Sequence, residues 1–170
     1  MKLHSKNKNN YFSNPDPSMT GLLIYGSDSS KVKIQKKKFI DSLLGKKSDE
    51  EMRLQSILPT DLRKDHSLLI DAIKAKGFFP GKRCILIENA SDNLTNLVMD
   101  CCNEWVSGDA HILLTSPFLS PKSSLRKFFE SHNKVYVAPI FDDPTSPIEI
   151  DSEIKKFGLN NITKDASNEL

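Results

Sequence analysis

Five short segments limit what this chain can fold into. Residues 21–26 (GLLIYG), 84–88 (CILIE), 110–115 (AHILLT) and 135–140 (VYVAPI) are nearly continuous apolar runs, and residues 52–58 alternate in polarity. A continuous apolar run leaves no face for water, so it predicts a strand covered on both sides. The alternating segment predicts a second strand of the same sheet. The stretches between them repeat at helical spacing. Val32, Phe39, Ile40, Leu43 and Leu44 mark the inner face of a helix over residues 29–44, with Asp28 or Ser29 as cap and Gly45 as stop. Leu69, Ile70, Ala72 and Ile73 form the next stripe, on a helix capped by Asp65 and stopped at a left-handed Gly77. Leu94, Leu97, Val98, Cys101 and Trp105 give a third helix, punctuated by Gly108. Residues 122–131, with Leu125, Phe128 and Phe129, give a short fourth. Strands alternating with helices point to an α/β fold, a parallel sheet with helices on both faces.

A chain of 170 residues buries a full core, and one domain with an appended segment is expected. Residues 1–20 read as an N-terminal arm, loose over 1–10, anchored by Tyr11 and Phe12 and stiffened by Pro15 and Pro17. The domain proper spans 21–141. Beyond it, Asp142-Asp143-Pro144 and Ser146-Pro147 read as a hinge, and 148–159 as a further helix. The end at Glu169-Leu170 then suggests a second domain cut short, so 142–170 is hinge plus the truncated start of that domain. No N-terminal apolar run suggests a signal peptide, and no stretch approaches the ~20 apolar residues of a membrane span. The three cysteines show no C-x-x-C spacing, and the adjacent Cys101-Cys102 suits neither a bridge nor zinc. Reduced thiols and a cytoplasmic protein with no membrane partner are the expectation.

Tests for chemistry mostly fail. A glycine ending the first strand before a helix is where a phosphate loop would sit. Set against G-x-x-x-x-G-K-[ST], Gly26 fits the first position, but Lys31 stands at the second glycine, Val32 at the lysine and Lys33 at the hydroxyl. Asp28 adds negative charge where phosphates would lie. The third strand ends Glu88-Asn89, one carboxylate where an ATPase of this architecture needs two. His4, His66, His111 and His132 have no ligand spacing, and there is no nucleophile elbow. No catalytic residue, metal site or cofactor is therefore expected, and enzyme activity is left open.

Two features invite a binding role instead. Phe78-Phe79, then Pro80-Gly81 and Lys82-Arg83, put two aromatics and two cations around a forced turn. The rings either pack under the sheet or stand out as anchors, since aromatics dominate binding hot spots. Lys122, Arg126 and Lys127 crowd a helix start against the dipole preference, either as a solvated turn or as a contact for an acidic partner or DNA phosphate. A net charge of +2 does not by itself argue for nucleic acid, although Lys31, Lys33, Lys36, Lys37 and Lys38 cluster on one helix.

Several blocks, in order, resemble the delta subunit of bacterial DNA polymerase III, the clamp-loader subunit. They are PDP before LLIYGSD, then GFFPGKRCILIENA, then SPKSSLRKFFE, spanning about residues 12–160. Tyr25-Gly26-Ser27-Asp28 is similar to the family's turn after strand one. The segment Phe78 to Arg83 is similar to its leucine-phenylalanine-glycine-x-arginine-arginine, with Phe78 for leucine and an extra Pro80. The resemblance implies an AAA+ domain with a degenerate nucleotide site, followed by the start of a helical lid domain. It implies a role in DNA replication, binding and opening the sliding clamp for loading onto primed DNA without an ATPase of its own. The nucleotidyltransferase activity would belong to the holoenzyme, and the location would be cytoplasmic, at the nucleoid. Carried over by position, Phe78, Phe79, Lys82 and Arg83 would meet the clamp. Other loader subunits would be partners through domains outside this sequence. The competing readings are an AAA+ ATPase with an unusual phosphate loop and a DNA-binding adaptor using the 31–38 lysines.

Overall fold

The computed structural model describes residues 2–3, 10–46, 48 and 50–140. Five strands, β1 (Gly21–Gly26), β2 (Leu54–Ser56), β3 (Cys84–Ile87), β4 (His111–Ser116) and β5 (Val135–Ile140), form one sheet. Its order is β2-β3-β4-β1-β5 and every pairing is parallel. Helices α1 (Ser29–Leu44), α2 (Pro59–Lys64), α3 (Ser67–Lys74), α4 (Thr95–Glu104) and α5 (Ser124–Ser131) connect the strands.

The apolar runs are explained by what lies on each face. Leu23 and Tyr25 of β1 point into a core shared with α2, α3, α4 and α5. Leu22 and Ile24 point the other way, toward Val32, Phe39, Ile40 and Leu43 of α1. Strand side chains alternate, so a strand covered twice must be apolar at both parities. α1 alone leaves part of its face open, and the N-terminal segment fills it. Phe12 and Tyr11 are buried there, with the Tyr11 ring 6.0 Å from Phe39 and 4.5 Å from Tyr136. Residues 2 and 3, expected to be loose, are also held: Leu3 is buried and its N–H donates to the Val137 carbonyl at 2.8 Å, extending the sheet past β5.

Three local expectations are corrected. β2 is shorter than residues 52–58, because Met52 has φ 49 and Leu58 already caps α2. The single helix expected from Asp65 is preceded by another, α2, which starts on Pro59, a residue preorganised for a first helical position. α2 buries only Leu62, so it carries no apolar period to find. Asp65 does serve α3, accepting from the Ser67 N–H at 2.9 Å and its hydroxyl at 2.7 Å. Gly77 is not left-handed; α3 ends earlier, on extended Ala75. The hinge and further helix expected over 142–170 lie outside the described residues.

All three thiols are buried, and burial pushes Cys84 and Cys102 up to about 12 and Cys101 to about 11. Such groups stay protonated and unreactive at neutral pH. Trp105 closes the core end of α4, donating its indole N–H to the Ala110 carbonyl at 3.0 Å. Buried His111 lies beside it, ring centroids 5.9 Å apart.

Gly26 has a packing reason distinct from phosphate chemistry. A Cβ there would come within 2.2 Å of the Ile140 carbonyl oxygen, so the residue lets β5 close on β1. Gly26→Ala is expected to cost about 1–3 kcal/mol, as overpacking does. The urea midpoint should fall accordingly; an unchanged midpoint would mean that β5 does not approach so closely.

Candidate functional site

All five strands run the same way, so the sheet has one carboxyl end and one amino end. Each carries a candidate site.

At the carboxyl end, where open α/β sheets hold ligands, a cleft of about 400 Å³ is lined by Ser29, Val32, Lys33, Lys36, Glu88, Asn89, Thr115 and Ser116. The connection from β1 to α1 is only Ser27 and Asp28. The Asp28 carboxylate caps α1, accepting from the Ser30 N–H at 2.8 Å and the Lys31 N–H at 3.0 Å. These are the donors that a phosphate at a helix N-terminus would use. Lys31 leans toward the same carboxylate at 3.9 Å. Lys36 pairs with Glu88 at 2.5 Å, so the single carboxylate ending β3 is matched by a cation across the cleft. The Ser116 hydroxyl donates to the Ala90 carbonyl at 2.7 Å and ties β4 to the loop after β3. Lys33 lines the cleft and is exposed.

At the amino end, residues 75–83 leave α3 and turn back into β3. Phe78 is 93 % exposed and Phe79 39 %, whereas Phe12, Phe39 and Phe129 are 1 %, 2 % and 0 %. The two tip rings meet edge to face, centroids 5.4 Å apart, a favourable geometry that keeps the pair together. Gly81, at φ +120, makes the turn that Pro80 prepares. Behind the rings a groove of about 390 Å³ runs between Phe79, Pro80 and the Ser107–Gly108–Asp109 loop. Lys74 crosses it, donating to the Glu104 carbonyl and to Asp109, both at 2.7 Å.

The two tip cations differ. Lys82 is exposed. Arg83 is half-buried and donates to the Ala72 carbonyl at 3.2 Å and the Ile73 carbonyl at 2.9 Å. Gly77 serves this arrangement, since a Cβ there would sit 2.8 Å from Arg83 Cδ. Sequence reasoning missed Arg53, whose Nη1 lies 3.4 Å from the Lys82 carbonyl. The two residues are 29 apart in sequence, and no local pattern links them.

The third group also divides. Lys122 and Lys127 are exposed, while Arg126 pairs with Glu130 at 2.9 Å, donates to the Leu119 carbonyl at 3.2 Å and lies over the Tyr25 ring. The start of α5 also receives an acid from elsewhere in the chain. Asp92 accepts from the Ser123 hydroxyl at 2.5 Å and the Leu125 N–H at 3.1 Å. Among the described residues no cluster of His, Cys, Asp and Glu is arranged to hold a metal, and no helix is long and apolar enough to cross a membrane.

No family model matches the chain, and no curated protein matches it. Among solved structures it is similar to the DNA clamp loader delta protein (YqeN) of Bacillus subtilis, with a TM-score of 0.61 at 12 % identity. The chain shares that fold. The match covers 96 % of this chain and 49 % of that one, so this chain spans about half the length of the solved structure. At this identity the likeness is one of architecture, an α/β fold whose parallel sheet is flanked by helices.

The Ser123 hydrogen bond is the main cause that holds the Asp92 carboxyl below its ordinary range. A folded-state value below the unfolded one means the native state binds fewer protons. Asp92 therefore stabilises fully above about pH 4, the unfolded value, and less as pH falls through its lower folded value. The stability gap between wild type and Asp92→Asn should narrow on acidification below about pH 4. A gap in urea midpoints that widens there would contradict the cap.

Proposed function

We propose that this chain is the clamp-engaging part of a clamp-loader delta-type subunit, and that Phe78 and Phe79 insert into an apolar pocket on a sliding clamp. The observation that carries the reading is Phe78, a large apolar ring left 93 % exposed on a braced turn, more than any other large apolar side chain among the described residues. The delta-like fold and the ordered sequence blocks supply the partner. Exposed Lys82 lies beside the rings as a rim contact for acidic groups, where charge assists encounter more than affinity.

The mechanism is mechanical. A module that binds the open form of a ring better than the closed form shifts the ring toward opening, by no more than that difference in affinity. The tip and the carboxyl-end cleft lie at opposite ends of the sheet. Clamp binding therefore needs nothing from the old nucleotide position. The two-residue connection and the Asp28 cap support a domain that works without nucleotide of its own, ATP turnover belonging to other subunits. Those subunits and primed DNA would be met through parts of the protein beyond this sequence. The alternative ATPase reading requires micromolar binding of a fluorescent ATP analogue. The DNA-adaptor reading requires affinity for duplex DNA that falls steeply with salt.

Burying one phenyl ring is worth about 1.5–3 kcal/mol, and 1.4 kcal/mol is tenfold in affinity. Phe78→Ala should therefore weaken binding to a purified sliding clamp by about 10- to 100-fold. The Phe78→Ala, Phe79→Ala pair should remove measurable binding, with thermal unfolding little changed because neither ring is core. A folded double variant that binds the clamp as well as wild type would refute the proposal.

A further inference from the structure

We infer that Arg83, with Arg53, is a clasp that holds the aromatic tip in its binding shape, so that Arg83 acts as a positioning residue and not as a contact. The inference rests on the clamp-binding reading above and separates the roles of two neighbouring cations.

The main chain of both arginines is locked into the sheet. The Arg83 carbonyl accepts from the His111 N–H at 2.8 Å, and the Arg53 carbonyl accepts from the Cys84 N–H at 2.8 Å. From that fixed base the Arg83 guanidinium turns back across the loop to the Ala72 and Ile73 carbonyls. These belong to the last turn of α3, where carbonyls lack helical donors and the dipole favours a cation. The Ile73 carbonyl also accepts from the Ala110 N–H at 3.0 Å, so the helix end is pinned to the start of β4 as well. A planar fork with two donors suits two successive carbonyls; a lysine ammonium has no such fork. Gly77 leaves the corridor through which the Arg83 stem passes.

The other flank is braced from β2. Gly81, at φ +120, abuts Arg53, and a Cβ there would lie 3.1 Å from Arg53 Nη1. Arg53 is itself held by Glu51, Nε to Oε2 at 2.6 Å. Both ends of the 75–82 loop are thereby tied down while its apex stays in water. A loop already ordered loses less conformational freedom on binding, and that is how bracing raises affinity without adding a contact.

The test uses Arg83→Ala, Arg83→Lys and Gly77→Ala in the whole chain, with two readouts. The first is chymotrypsin cleavage of the Phe78–Phe79 bond in the free protein, the bond after Phe79 being blocked by Pro80; it reports tip order with no clamp present. The second is affinity for a purified sliding clamp. Arg83→Ala should raise tip cleavage and weaken clamp binding, each by roughly tenfold, the loss expected of two hydrogen bonds. Arg83→Lys should recover part of both. Gly77→Ala, which keeps the charge but crowds the stem, should change both in the same direction; it serves where Arg83→Ala does not fold. Combined with Phe78→Ala, which leaves binding measurable, Arg83→Ala should cost less affinity than it does in the wild type, because the braced element has one ring fewer to present.

Unchanged cleavage in folded Arg83→Ala overturns the clasp, whatever the clamp data. Faster cleavage with unchanged clamp affinity overturns the positioning role, while a loss in Phe78→Ala leaves the clamp reading standing. Weaker clamp binding by Arg83→Ala that Gly77→Ala does not reproduce makes Arg83 a direct contact and also overturns the inference. If the aromatic double variant binds normally, the clamp reading fails, and the cleavage data alone decide the clasp.

Discussion

Covering both faces of a parallel sheet is the constraint from which the rest follows. With α1 and the N-terminal segment on one side and α2 to α5 on the other, β1, β3, β4 and β5 have no free face, and only the edge strand β2 leaves Gln55 and Ser56 exposed. Polar chemistry and partner contacts are pushed to the two ends of the strands. Parallel strands make those ends different: carboxyl ends feed helix N-termini, whereas amino ends receive loops from helix C-termini. The first environment attracts anions and the second cations. Asp28 and Arg83 are the residues this chain uses to satisfy them.

At the carboxyl end the satisfaction is internal. A helix N-terminus left open would be a phosphate site, but here the Asp28 carboxylate takes two of its donors and Lys36 meets Glu88 across the cleft. Two of the lysines on α1 already face these carboxylates, Lys31 with Asp28 and Lys36 with Glu88. Gly26, which resembles a loop glycine in sequence, is kept small by the Ile140 carbonyl of β5.

At the amino end the same economy has an opposite result. Arg83 and Arg53 hold the turn, and the rings it carries are left in solvent. An exposed aromatic pair is a hydrophobic liability unless something covers it, and a stiff support makes covering it more favourable. Lys82 stays exposed, and its carbonyl is within reach of Arg53, so one residue belongs to both the brace and the surface. α5 shows the same logic on a smaller scale: Asp92, distant in sequence, takes the Ser123 hydroxyl and the Leu125 N–H at its start, while Arg126 is held by Glu130 one turn on.

Much of the architecture was legible locally, because strand and helix periods are written in consecutive residues. β1, α1 and β5 appear at the bounds that the apolar pattern of GLLIYG, of Val32 to Leu44 and of VYVAPI implies. The failed phosphate-loop spacing was equally plain, being a matter of residue identity at fixed offsets. α2 escaped notice because it has one buried side chain, and the stop of α3 because Gly77 answers to Arg83, not to helix geometry. The sequence alone therefore determined the sheet, its double covering and the presence of aromatics and cations at one turn. Only the tertiary structure decided which of them face outward. Phe78 and Lys82 do, while Arg83 and Arg126 are drawn inward by the carbonyls of Ala72, Ile73 and Leu119. A guanidinium is committed by whichever unsatisfied acceptors the fold brings within reach, and that depends on helix ends and loops a residue's neighbours do not reveal.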